Sequence, residues 1–469
     1  MIHVKYRLPM LVALLMLAGC PQPQPPQQQK ESPLDGGSLK LTVIDDPEMA
    51  AAIEQLRGEW TAQTGTDFQV RQISGRQLPQ RQESDDLAAD AIIYPSHMLG
   101  TLAQRNLLSP LPKESLQSDD WAGVFELLRT REAAWGSQTV AVPFGSPVLV
   151  CYYRADLLKK LGRQPPRTWG EYQQIAELLA EQGPEEEWSG TIEPLAPGWA
   201  GLTLLARAAP YAKHRENYST LFNIETMKPL ISGEPMVRAL DELVAAAKLG
   251  SLDHDPSSAR EAFWQGRCAM ALSWPTSAEI IELIDENVEV GFIELPGSVD
   301  VYNVARQSWE RRWQGEDRHV PLLAVAGRIG SVCDGSSRKA AARQLLYWLS
   351  GNQRGRQVCA ASLSTTLFRD SQAEFPGDWV ETPVQPLAAV KYAAITKETL
   401  SREQWLLALR LPGRGEYLRA LDNAVRSTVS GEQTSEEALG EVAQAWREIT
   451  ERLGVDTQRR AYLHSLGLW

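Results

Sequence analysis

The residues of this 469-residue chain best placed for chemistry are aromatic rings and carboxylates at the ends of apolar runs. The chain carries fifteen tryptophans. Flat aromatic faces stack on sugar rings while a few polar groups read the hydroxyls. Asp46 follows the run 39–44 (LKLTVI), Tyr94 closes an apolar run ending in Tyr94-Pro95-Ser96, and Trp274 closes 268–275 (CAMALSWP). In open α/β sheets a ligand lies beyond the carboxyl ends of the strands, which puts these three at a mouth. Trp199 stands between glycines in 197–201 (PGWAG), and Phe144 sits between Pro143 and Gly145. Asp46 would accept hydroxyl hydrogen bonds; it fits equally as the cap of the helix that follows.

Catalytic readings find less support. Adjacent carboxylates occur at Asp45-Asp46, Asp85-Asp86, Asp119-Asp120 and 185–187. Glycosidase pairs face each other across a cleft, and sequence neighbours do not establish that. The six histidines are scattered, without HExxH, and there is no GxSxG, P-loop or GxGxxG. Asp253-His254-Asp255 has metal-ligand residue types, but Pro256 and the helix behind it fit a loop and cap better. The chain therefore reads as a non-enzyme with no cofactor and no metal.

The elements that must position the aromatic set turn on 141–169 (AVPFGSPVLVCYYRADLLKKLGRQPPRTW). A β-branched run is interrupted there by Pro143, Gly145 and Pro147, so two strand pieces meet at a narrow joint. Such a joint suits a chain passing from one lobe to another. Before it, 39–44, a helix over 48–64 and a strand at 68–73 form a βαβ unit that starts a parallel sheet. After it, Thr168 caps a helix over 169–181, and further helices fall at 202–209, 237–249, 258–263 and 277–287. A strand is expected at 288–292, an irregular excursion at 299–317 and a strand at 320–326. Helices over 339–349, 352–361, 392–400, 415–430 and 435–453 complete the chain. At this length two lobes are expected.

The N-terminus reads as an address. Lys5 and Arg7 precede an apolar stretch at 10–17, too short to span a bilayer, which ends Leu17-Ala18-Gly19-Cys20. This looks like a bacterial lipobox, with Cys20 the lipid-modified residue after removal of 1–19. The Pro/Gln-rich text at 21–33 cannot bury a core, and 20–37 reads as an extended tether. The protein is thus expected outside the cytoplasm, in the periplasm or at the cell surface, held to a membrane by lipid. Net charge is −12, and loss of 1–19 makes it −14, which excludes nucleic acid as a partner. Four cysteines remain, with three possible pairings. Cys333 and Cys359 flank one helix and are the favoured pair, while Cys151 and Cys268 form a second pair or stay buried thiols.

Four stretches resemble one family, the extracellular solute-binding proteins of the maltose-binding type that serve ABC importers. Residues 89–108 are similar to its AD…LA…G-L-PL segment, with Asn106 where glycine is frequent. The joint through Tyr153-Arg154-Ala155-Asp156-Leu157 to Pro165-Pro166-Arg167-Thr168-Trp169 resembles its crossover, and 263–270 its F-x-x-G-x-A-A-M element. The helices from Tyr417 to Trp446, with Glu436-Glu437-Ala438-Leu439, resemble its C-terminal pair. The likeness spans about 38–454. It implies an α/β fold of two lobes, each a mainly parallel sheet flanked by helices, with ligand between them. The lobes would be 38–144 plus 321–374 and 145–320 plus 375–469. It implies a monomeric trap that captures a small solute, a carbohydrate above all, and presents it to membrane permease subunits. A ligand-sensing receptor subunit, or an extracytoplasmic carbohydrate-active enzyme, would be the rival readings. The chain departs from the pattern at 299–317 and at 327–331 (GRIGS), where Arg328 falls near the hinge and the mouth. Arg328 joins Asp46, Tyr94, Phe144, Trp199 and Trp274 as a candidate ligand contact.

Overall fold

The structure, a computed structural model, describes residues 37–78, 87–183, 188–281 and 288–468. The signal segment, Cys20 and the tether through residue 36 lie outside the described residues.

Two sheets organise the molecule. Their strands, in chain order, are β1 (Leu39–Ile44), β2 (Phe68–Ile73), β3 (Ala91–Pro95), β4 (Val142–Pro143), β5 (Val150–Arg154), β6 (Met270–Ser273), β7 (Val290–Glu294) and β8 (Arg328–Val332). The first sheet has the order β2-β1-β3-β8-β4. β1 pairs in parallel with β2 and β3, as a βαβ start requires, whereas β8 runs antiparallel to both β3 and β4. The second sheet, β6-β5-β7, is antiparallel throughout, which corrects the expectation of a mainly parallel sheet there. The parallel contacts on its flank are single bridges, Ser189 to Cys268 and Ile192 to Ala271.

Helices cover both sheets. Helix Pro47–Gln55 packs on helix Asn352–Cys359 beside the first sheet. Helices Pro256–Trp264 and Pro386–Thr399 pack on β6 and β7 of the second. Ala200–Ala212, Glu234–Ala247, Arg414–Val429 and Ser435–Leu453 then form one helical layer. Their starts carry the capping chemistry seen in the sequence. Thr168 and Thr434 each close a reciprocal capping box with Glu171 and Glu437. Asp255 caps Pro256–Trp264 through Ser258, so the Asp-His-Asp run is used as a cap.

The joint at 141–150 is built as its residues demand. Gly145 has φ 100° and Gly327 φ 110°, and the Arg328 amide donates to the Gly145 carbonyl at 2.9 Å. A Cβ on Gly327 would fall 2.2 Å from Ser146 Oγ, so only glycine fits. Beside this crossing Leu322–Leu323 pairs in parallel with Leu406–Leu407.

Several expectations are revised. The helix over 48–64 breaks at Leu56 into Pro47–Gln55 and Arg57–Thr64. The stretch 299–317 contains a hairpin, Asp300–Asn303 with Ser308–Arg311, turned at Gln307 with φ 51°. Arg328 opens strand β8, with Gly327 just before it. Residues 277–281 are not helical, and the rest of that expected helix lies largely outside the described residues. A last helix, Val455–Ser465, was not foreseen. No disulfide joins Cys333 to Cys359, and Cys151 and Cys268 are likewise buried thiols. Burial pushes the Cys151, Cys268 and Cys359 thiols up, keeping them protonated.

Candidate functional site

Trp274, at a strand end, and Trp199, at a helix start, meet at a seam between the two sheets. Trp274 follows β6, and its carbonyl accepts from Arg260 Nη1 at 2.8 Å. Two residues on, the Thr276 amide donates to Glu381 Oε2 at 3.1 Å. Glu381 is buried and also receives the Trp264 indole N–H at 2.8 Å and the Tyr152 hydroxyl at 3.0 Å. Burial pushes its carboxyl up, and Arg260 opposes that shift. The loop bearing Trp274 is therefore anchored on both sides of the ring.

The Trp274 ring lies 5.7 Å from that of Trp199, tilted by 48°. Trp199 precedes helix Ala200–Ala212 at a turn where Gly198 has φ 92°. The Asp422 carboxylate fixes this turn, accepting from the Gly198 amide at 2.9 Å and the Gly201 amide at 3.2 Å. Trp199 keeps part of its surface open, whereas Trp274 is only 6 % exposed. Trp274 Nε1 donates to the Leu363 carbonyl at 3.0 Å, and Leu363 is itself 42 % exposed. Leu363 follows helix Asn352–Cys359 of the first sheet's layer, so this hydrogen bond crosses the seam.

One residue earlier, Ser362 Oγ donates to Asp46 Oδ2 at 2.6 Å. Asp46 caps helix Pro47–Gln55 through the Met49 amide at 3.1 Å, and Arg328 Nε lies 2.8 Å from its Oδ2. Arg328 Nη2 also donates to the Asp45 carbonyl at 2.8 Å. Burial lowers the Arg328 pKa while Asp46 holds its charge. Four of the six candidates, Asp46, Arg328, Trp199 and Trp274, are thus linked through Ser362–Leu363. Asp46 and Arg328 spend their charges on each other.

Tyr94 and Phe144 do not join them. Both are 0 % exposed. The Tyr94 hydroxyl lies 2.8 Å from Ser331 Oγ, and Phe144 packs over Gly330, where a Cβ would come within 2.8 Å of the ring. The expectation that they touch ligand is corrected: they fill the first sheet's core. A cavity of about 570 Å³ bordered by Trp135, Gln138 and His464 touches none of the six.

The sequence reading passed over two further basic residues. His97 is two residues beyond Pro95, the register partner of Arg328, and the Ser96 amide donates to the Gly327 carbonyl at 3.1 Å. Arg414 opens the helix Arg414–Val429. The four-residue gap between Arg410 and Arg414 gave no motif, although Gly413 did mark the break before the helix.

The family model described as bacterial extracellular solute-binding protein matches residues 45–354. Among solved structures, an ABC transporter solute-binding protein from Agrobacterium radiobacter K84, in complex with ribitol, is 19% identical with a TM-score of 0.63. It covers 89% of this chain and 100% of its own. Maltose-bound MalE3 of T. maritima is 18% identical with a TM-score of 0.63, covering 88% and 100%. A solute-binding protein of Agrobacterium vitis S4 with bound D-mannitol is 16% identical with a TM-score of 0.61, covering 89% and 99%.

Proposed function

Since the chain belongs to the bacterial extracellular solute-binding protein family, we propose that it captures a carbohydrate or polyol between its lobes and delivers it to an ABC importer. The lobes are 38–144 plus 321–374 and 145–320 plus 375–469, joined at the Gly145/Gly327 crossing. Ligand enters the seam, contacts both lobes and shifts the population toward closure. Lipid on Cys20 and the tether 20–37 hold the protein at a membrane outside the cytoplasm, beside permease subunits. No helix among the described residues is long and apolar enough to cross a membrane.

The observation that supports this reading most is the Trp199–Trp274 pair, poised on an anchored loop against the Leu363 carbonyl. Two tilted indoles at a polar seam offer stacking faces, and the Leu363 carbonyl offers a hydroxyl acceptor. That ribitol, maltose and D-mannitol are bound by proteins of the same fold sets the first ligands to try. The test is a thermal-shift screen over sugars, polyols, sugar phosphates and amino acids, because ligand that binds only the native state raises the melting temperature. A sugar or polyol should raise it in the wild type and leave Trp274→Ala unmoved. An amino acid as the sole hit, or an equal shift in Trp274→Ala, would refute the reading.

A further inference from the structure

The last helix, Val455–Ser465, lies beyond the stretch 38–454 that resembles the family, and its contacts are not confined to one lobe. Arg459, Tyr462 and Leu466, at helical spacing, form a face rooted in the second lobe. The Tyr462 ring lies 5.3 Å from Phe222, edge to face, and Phe222 stacks on Trp446 at 5.2 Å in the helical layer. The Tyr462 hydroxyl lies 2.7 Å from Ser219 Oγ and accepts the Leu221 amide at 3.3 Å. Arg459 Nε donates to the Ile224 carbonyl at 2.8 Å, and the Tyr218 hydroxyl donates to the Leu466 carbonyl at 2.6 Å.

The other face meets the first lobe. The His464 carbonyl accepts the Gly136 amide at 2.8 Å, and the His464 ring lies 5.7 Å from Trp135, edge to face. Trp135 belongs to that lobe's body: a Cβ on Gly100, in helix Leu99–Ala103, would come 3.0 Å from its Cη2. Buried Arg410 ties the helix to the crossing. Its Nη2 donates to the Ser465 carbonyl at 2.9 Å and its Nη1 to the Glu132 carbonyl at 2.8 Å. Glu132 Oε1 in turn receives the hydroxyl of Ser146, the residue after Gly145, at 2.7 Å. Beside these points the cavity of about 570 Å³ opens between Arg460 and His464 on the helix and Gln104 and Asp334 on the lobe. The helix therefore grips the first lobe narrowly and the second lobe broadly.

We propose that helix Val455–Ser465 is a strap between the two lobes, and that its narrow grip on Trp135–Gly136 biases the trap toward the shut arrangement. The proposal rests on the two-lobe reading above. In this structure the seam is shut, since Trp274 Nε1 reaches the Leu363 carbonyl across it, and the strap is engaged at the same time. A strap contact that is lost on opening lowers the free energy of the shut form relative to the open one. A solute that binds the shut form is then held more tightly, by up to the same factor. The strap thus tunes affinity without touching the solute.

The test combines small-angle X-ray scattering of the full chain without added sugar and calorimetric titration with maltose, ribitol and D-mannitol. His464→Ala removes the ring that meets Trp135, and Tyr462→Ala releases the opposite face. Each should enlarge the radius of gyration. Each should also weaken whichever probe binds, His464→Ala by about twofold to tenfold, the worth of one aromatic pair. The double variant should lose no more affinity than the worse single one, because a strap freed on one side transmits nothing from the other; independent contacts would add. Unchanged radius and affinity in His464→Ala, or losses that add, overturn the strap. If no probe binds and the radii still respond, the sugar reading fails and the strap stands. No binding with unchanged radii overturns both.

Discussion

At Asp46 two carboxylate oxygens hold the Met49 amide, the Ser362 hydroxyl and the Arg328 guanidinium. The residue looked like a ligand contact and a helix cap at once, and the cap is realised in the fold. Removing one partner of a buried pair strands the other, at about 3–5 kcal/mol. Asp46→Asn should therefore lower the denaturation midpoint by that amount of stability in urea unfolding, and a loss below ~1 kcal/mol would show the pair to be dispensable. His97 gives a second residue-scale expectation. Its folded pKa is depressed, so as pH falls through the usual histidine range the unfolded chain takes up a proton that the folded chain refuses. Stability contributed by neutral His97 is thus present above that range and lost below it. Melting measured at pH 7.5 and pH 5 should show a smaller acid loss in His97→Gln than in the wild type; identical slopes would contradict the assignment. The strand end at Trp274 was legible from its apolar run, and the residue does follow β6, whereas Tyr94 and Phe144 occupy similar positions in the sequence and were absorbed by Ser331 and the space over Gly330. Nothing in one sequence distinguishes a ring that covers a sheet from one that faces a ligand.

Among the elements, those with strong local signals were read closely. Thr168 and Thr434 announce their helices through capping boxes, and Pro143, Gly145 and Pro147 mark the crossing. The hairpin Asp300–Asn303 with Ser308–Arg311 escaped because its turn uses Gln307 in the left-handed region instead of glycine, and its outer positions are charged. Helix Val455–Ser465 escaped because Gly454 reads as a stop and its buried face includes Gln458 and Ser465. Insertion of β8 antiparallel between β3 and β4 pairs Ile329 with Tyr94 on one side and Pro143 on the other, both far away in sequence, and no local pattern specifies it. The crossing itself can be tested. Gly327→Ala would place a Cβ 2.2 Å from Ser146 Oγ at a φ of 110°, a backbone strain of about 1–3 kcal/mol. The variant should unfold at lower urea than the wild type; unchanged unfolding would mean that the joint relaxes freely.

On the scale of the whole molecule, composition and length already pointed to two lobes and a partner other than nucleic acid, and the family membership agrees with the resemblance carried by the crossover and the C-terminal helices. The two sheets explain how the seam arises. β3 ends and β8 begins beneath it on one side, β6 delivers Trp274 from the other, and the Trp274–Leu363 hydrogen bond joins the two. A trap built this way needs its binding groups split between lobes, because only then does binding energy favour closure. Under the proposed function, Trp199 and Trp274 supply one face and Ser362–Leu363 the other. The direct measurement is calorimetric titration of wild-type and Trp274→Ala protein with the sugar or polyol that gives the largest thermal shift. The account predicts saturable one-to-one binding by the wild type and at least about a tenfold loss in a Trp274→Ala protein of undiminished fold, the scale of removing one well-packed aromatic contact. Equal affinity in the two proteins would contradict it.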